Sequence, residues 1–164
     1  MNPAIQLTLD TSLLLEYWKR QDKHTIVERL VELSRNGHVD LAVTARIRED
    51  VPNPPMADRI DGLSELGVLE EPSVARLEYW VLDQDMLGDD TFVAVSQELD
   101  EALQRRGRKP PDWRDWDHLH AHYLSGRSVF LTWDKRILQI ASDLRARLGI
   151  DVKSPEAWLR ESGL

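Results

Sequence analysis

The sequence predicts an α/β protein, a three-layer α/β/α arrangement with a central, mainly parallel sheet. Three observations predict it. Apolar residues alternate in two short runs, Ile5 to Leu9 and Val39 to Val43, with the period of a strand, while the runs around them repeat at helical spacing. Strands separated by helices pair in parallel and place helices on both faces of the sheet. The 164 residues are 41% hydrophobic and 30% charged, enough apolar material for one core.

The elements follow in chain order. Ile5, Leu7 and Leu9 alternate with Gln6 and Thr8, and this strand ends at Asp10. Leu13, Leu14, Tyr17 and Trp18 form a helical stripe, and Ile26, Val27, Leu30, Val31 and Leu33 a second, stopped by Asn36-Gly37. Val39, Leu41 and Val43 give another strand, ending at Thr44. A short helix is expected over 46–50, closed by Pro52-Asn53-Pro54-Pro55, then a helix over 56–66 ended by Gly67. Residues 68–90 read as either strand or helix around 73–82, with a turn at Gly88-Asp89-Asp90. Phe92, Val95, Leu99 and Leu103 predict a helix reaching Arg106, and 107–111 a loop.

Asp112 caps a helix running to Gly126, with Asp115 at its third position as an acidic capping pair. Val129 to Thr132 is a short buried strand, and 135–148 one helix with Gly149 as its C-terminal signal. Ile150 and Val152 suggest a last strand, and Ser154-Pro155-Glu156 opens a final helix with proline at its first position. No repeat, low-complexity stretch or linker divides the chain, so one domain over 1–164 is expected.

Composition removes several functions. With no cysteine there is no disulfide, thiolate-bound zinc or thiol nucleophile. No run of about 18 apolar residues exists to span a membrane. The opening MNPAIQLTLD lacks the basic and long apolar stretches of a signal peptide, so a cytoplasmic address is expected. A net charge of −8 argues against coating nucleic acid by bulk electrostatics. It leaves room for an enzyme that gathers carboxylates around metal ions and holds phosphates with a local basic patch.

The acids are placed for such chemistry. In open α/β sheets, ligands bind beyond the carboxyl ends of the strands. Asp10 follows the first strand, Glu49 and Asp50 follow the second by about one turn, and Asp134 follows the third by two residues. Asp115 and Asp117 begin the helix that leads into that third strand. Two like charges roughly 4 Å apart repel by about 4 kcal/mol at an effective dielectric of 20, so clustered acids take up protons or bind a cation. Carboxylate oxygens suit Mg²⁺ and Mn²⁺. An ion held with open positions can bind a phosphate oxygen, activate water and stabilise a leaving oxygen. The plainer reading of any single one of these residues is helix capping; their joint placement favours the site.

These residues resemble the PIN-domain family. LTLDTSLLL (residues 7–15) is similar to its opening strand and first acid, DWDHLHAHYLSGRSVFLTWDKRIL (115–138) to its late signature of acid, helix, Gly, strand and Thr-x-Asp, and DVKSPEAWL (151–159) to its last strand and helix. The resemblance implies a PIN-like fold and a Mg²⁺- or Mn²⁺-dependent ribonuclease, often the toxin of a toxin–antitoxin pair and often a homodimer. It assigns Asp10 as the first acid with Ser12 or Thr11 as its neighbouring hydroxyl, Glu49 or Asp50 as the second acid, and Asp115 as the third with Asp117 as fallback. Asp134 is the fourth, with Thr132 as the threonine of the motif. The alternative function is a catalytically inert PIN-like module built for a protein partner. Residues of about 52–112 exceed the compact family pattern and suit a lid, a partner surface or a substrate clamp.

Other residues carry weaker signals. Arg105, Arg106, Arg108 and Lys109 form the densest basic run, read as a phosphate clamp or as a solvated helix end. Arg46 and Arg48 stand beside the second acid. Trp133 between Thr132 and Asp134 is placed to stack on an RNA base, as Trp113 and Trp116 are less clearly, while Trp116 and Trp158 suit the core. His118 is one turn after Asp115 and is placed to orient it or to contact phosphate. His118 and His122 share a helix face at i, i+4, but the zinc-protease glutamate is missing.

Overall fold

The structure, a computed structural model, describes residues 4–19, 22–44, 46–47, 66–69, 73–74, 85–86 and 90–164. Five strands, β1 (Ile5–Leu9), β2 (Val39–Thr44), β3 (Leu66–Leu69), β6 (Val129–Leu131) and β7 (Val152–Lys153), form one sheet in the order β3-β2-β1-β6-β7. Every neighbouring pair in it is parallel. A separate two-stranded parallel ladder joins β4 (Ser73–Val74) to β5 (Asp85–Met86). The helices are α1 (Thr11–Lys19), α2 (His24–Arg35), α3 (Asp90–Arg105), α4 (Trp113–Ser125), α5 (Lys135–Leu138), α6 (Ala141–Leu148) and α7 (Pro155–Ser162).

Strand alternation sorts the core into two sides. Leu7 and Leu9 of β1, Leu41 and Val43 of β2, and Val129 and Leu131 of β6 join α1, α2 and Trp158 of α7 in one buried cluster. On β6 the intervening Phe130 turns to the other face, where it joins Phe92, Val95, Leu99 and Leu103 of α3, Trp116 and Leu119 of α4, and Leu144 of α6. The sheet is thus sandwiched between two helical layers, a three-layer α/β/α fold. Near α4 the second face is partly polar: Thr8 and Thr44 are buried there and bond histidines of that helix.

Three expectations change. Gly67 lies inside β3 opposite Ala42 rather than at a helix end, because four backbone pairs with the buried strand β2 outweigh a local propensity. Residues 56–65 and most of 46–50 lie outside the described residues, as do 75–84. The helix expected over 135–148 is broken at Gln139-Ile140, where the Ile140 amide donates to Ile137 O at 3.1 Å. Ile137, Ile140 and Leu144 all pack in the core across this break. Asp90, expected in a turn, is the first residue of α3. No helix among the described residues is long and apolar enough to cross a membrane.

Candidate active site

Parallel strands bring their carboxyl ends to one edge of the sheet, and the last residues of β1 and β6 open there into a cleft of about 380 Å³. Asp10, Thr11, Ser12, Asp115, His118, Trp133 and Asp134 line it, with Asp112 and Arg114 at its side. Asp10 is buried and extends the ladder, its amide donating to Leu131 O at 3.0 Å. Its Oδ2 accepts the hydroxyls of Ser12 and Thr132, both at 2.8 Å, and neither bond uses Oδ1. Thr132 Oγ1 also accepts the Asp134 amide at 2.9 Å, so one fully buried hydroxyl ties the two acids together.

Asp134 and Asp115 each hold a helix end as well as facing the cleft. Asp134 caps α5, accepting the Arg136 amide at 2.7 Å. Asp115 completes a reciprocal capping box on α4: Asp112 Oδ1 accepts the Asp115 amide at 3.1 Å, and Asp115 Oδ2 accepts the Asp112 amide at 2.7 Å. The capping and site readings of Asp115 are therefore both realised by one carboxylate.

Arg136, which the sequence reading did not weigh, sits among these acids. Its Nη2 is 2.5 Å from Asp134 Oδ2 and 2.9 Å from Asp115 Oδ2, and its Nη1 is 3.4 Å from Asp112 Oδ2. A signal was available in the sequence. A cation in the first turn of a helix opposes the helix dipole, so an arginine two residues after a capping aspartate asks for a local anion. Burial, and secondarily the carboxylates of Asp112 and Asp134, push Asp115 up to about 6 against the lowering from the Asp112 amide and Arg136. Burial also raises Asp134, but the side-chain and backbone hydrogen bonds of Arg136 outweigh it and hold that acid below its ordinary range.

The all-carboxylate oxygens of Asp10, Asp115 and Asp134 are the hard donors that Mg²⁺ and Mn²⁺ prefer. The buried Asp10 carboxylate accepts two neutral hydroxyls, and among the described residues no cation pairs with it. The donor set thus fits such an ion in type. In spacing, no three acidic or histidine side chains among the described residues close around one point; Asp115 and Asp134 instead share the Arg136 guanidinium.

The other expected residues fall in several places. Asp117 turns away from the cleft: it is buried, and its Oδ2 pairs with Arg46 Nη1 at 2.9 Å. The Arg46 guanidinium also stacks 4.2 Å from the centre of the Trp113 ring. Glu49, Asp50 and Arg48 lie outside the described residues. His118 is buried at the cleft floor, its Nδ1 against Thr44 Oγ1 and its Nε2 3.4 Å from Thr11 Oγ1, so it braces β2 and α1 rather than Asp115. His122 bonds Thr8 Oγ1 at 2.8 Å, which makes the shared face of the two histidines the sheet-facing one. Arg105, Arg106 and Arg108 line a neighbouring groove with Glu98, Asp143 and Arg147, separate from the acids. Lys109 is close enough to Asp134 to lower its pKa. Trp133 forms a cleft wall, its Nε1 donating to Glu156 Oε1 and Oε2 at 3.0 and 2.8 Å. Trp116 and Trp158 are core residues.

No protein-family model and no curated protein matches the sequence. Solved structures do match. The fold is similar to a chain of VapBC2 from Rickettsia felis bound to a DNA fragment from their promoter, at 11% identity and a TM-score of 0.51, over 92% of this chain and 98% of that one. It is similar also to a chain of VapBC-1 from nontypeable Haemophilus influenzae, at 16% identity and 0.53, over 93% and 99%. These complexes contain PIN-domain chains. The chain has a PIN-like fold. At these identities the likeness is one of fold. On this PIN-like fold, Asp10 from the start of the chain and Asp115 and Asp134 from its last third meet at one cleft.

Proposed function

We propose that this PIN-like protein is a Mg²⁺- or Mn²⁺-dependent endoribonuclease of the toxin type, acting in the cytoplasm with an antitoxin protein as its partner and a second copy of itself in a homodimer. The observation that carries the reading is the convergence of three carboxylates on one open cleft at the carboxyl edge of a parallel sheet. Asp10, Asp115 and Asp134, with Glu49 or Asp50, would hold the ion. When bound, the ion would act as a Lewis acid on the phosphodiester and neutralise charge developing on its oxygens.

The chain's own residues supply the positioning. Ser12 and Thr132 fix the Asp10 carboxylate through Oδ2 and leave Oδ1 to face other partners. Thr132 transmits that position to Asp134 through its amide. Trp133 offers an aromatic wall for a base, held in place by Glu156. Lys109 and the groove of Arg105, Arg106 and Arg108 supply positive charge for the RNA backbone in a chain of net charge −8.

The occupation of Asp115 and Asp134 by Arg136 favours a second reading, an inert PIN-like interaction module. One experiment separates the two. A mixed panel of tRNA, ribosomal fragments and single strands is incubated with wild type and Asp10→Asn protein, purified identically, in Mn²⁺, Mg²⁺ or EDTA. Cleavage by wild type with either ion, lost in EDTA and in the variant, is the expected result. Equal cleavage by the Asp10→Asn variant would overturn the nuclease assignment. Absence of cleavage together with absence of Mn²⁺ binding would establish the inert module.

A further inference from the structure

The carboxylate cleft carries its own cation. Arg136 Nη2 bridges Asp134 Oδ2 at 2.5 Å and Asp115 Oδ2 at 2.9 Å, so one nitrogen stands between two acids from different helices. Its Nε lies 3.1 Å from each Asp134 oxygen, and Nη1 reaches Asp112 Oδ2 at 3.4 Å. The contact is a fork on Asp134 with a bridge to Asp115, the geometry in which a guanidinium binds carboxylates most firmly. Its side chain nevertheless keeps 27% of its surface exposed at the cleft, so an outward path is not covered by other described residues.

We infer that Arg136 is a displaceable internal counter-ion, competing with a divalent cation for Asp115 and Asp134. This rests on the reading that these acids hold a metal. Arg136 Nη2 occupies the Oδ2 oxygens of both carboxylates, so a cation held by those two acids would compete with the guanidinium for the same donors. Metal loading would then displace the guanidinium from the bridge. In the metal-free protein the same guanidinium keeps like charges together, so the cleft stays assembled. The device makes metal affinity weaker than the carboxylates alone would give, and it makes loading a step that other anions can assist by drawing the arginine away.

The test is calorimetric titration of Mn²⁺ into wild type, Arg136→Gln and Arg136→Lys, with thermal melting of each in its metal-free state. Arg136→Gln should bind Mn²⁺ at least about tenfold more tightly than wild type and melt lower without metal, with a larger upward shift of Tm on saturation. Arg136→Lys keeps the charge but loses the fork, so its affinity should fall between the two. Wild type and Arg136→Gln binding Mn²⁺ equally, or the variant binding more weakly, would overturn the competition and leave the metal reading standing. If Arg136→Gln does not fold, Arg136→Lys decides, and wild-type affinity in it overturns the proposal. No Mn²⁺ binding by any of the three would overturn the metal reading and the competition with it.

Discussion

His122 should make the protein lose stability in mild acid, by an amount that a single substitution isolates. The imidazole is 2% exposed, its Nδ1 lies 2.8 Å from Thr8 Oγ1, and its ring meets Phe130 edge-on at 5.6 Å. Burial, and then the nearby Arg127 guanidinium, hold its pKa down at about 4, against 6.5 for the free side chain. The folded chain therefore keeps the ring neutral where the unfolded chain takes a proton. The contribution is fully present above pH 6.5 and is lost as pH falls from 6.5 towards 4, a span worth on the order of 3 kcal/mol. Asp115 works in the opposite direction: with a pKa of about 6 against an ordinary 3.8, it is protonated first in the folded state, so its stabilisation grows as pH falls through that window. The wild-type profile is the sum of opposed terms, which is why a difference between proteins is the quantity to measure. His122→Asn retains a polar atom near the Nδ1 position and cannot take the proton. Urea unfolding of both proteins at pH 7 and pH 4.5 should move the free-energy difference in favour of the variant by about 2 kcal/mol at the lower pH. Parallel profiles would refute the reasoning, because a ring that is neutral and buried in the native state must produce this difference.

Two further outcomes follow from the site. Thr132→Val keeps the shape of a fully buried side chain but removes the hydroxyl between Asp10 and the Asp134 amide, and should cost about 1–3 kcal/mol in chemical denaturation. Thr132→Ser keeps the hydroxyl and should recover most of that loss, and a Thr132→Val protein as stable as wild type would refute the role of the hydrogen bonds. Replacing Arg105, Arg106 and Arg108 together by alanine should lower the slope of log affinity against log salt for single-stranded RNA by about 2, at about 0.7 per phosphate contact. Fluorescence anisotropy with Asp10→Asn protein in both arms measures this without cleavage, and an unchanged slope would remove the groove from the RNA path.

Much of the fold is legible in the chain because its signals are local. Period-two runs give β1 and β2, Asp112 and Asp115 announce the start of α4, and Gly126 and Gly149 mark left-handed helix ends. Where local preference was weak, pairing decided. Gly67 looks like a helix stop, yet it lies in β3 because β2 offers it a ladder. The break between α5 and α6 has no breaker residue, so the helical stripe of Ile137, Ile140 and Leu144 reads as one helix in the sequence.

The candidate acids show the same division. The sequence by itself determined which carboxylates follow strand ends, since a strand-then-acid pattern is a property of neighbouring residues. It left Asp115 and Asp117 as alternatives, because two residues on one helix differ by a rotation that only packing fixes. The tertiary structure decided that rotation: Asp117 is turned into a buried pair with Arg46, and Asp115 is turned to the cleft. It also separated the arginines of the basic run from the acids, and it placed Arg136 between carboxylates drawn from two helices. Charge pairing across long sequence separations depends on distances of a few ångströms, and those distances exist only once the sheet has brought its strand ends to one edge.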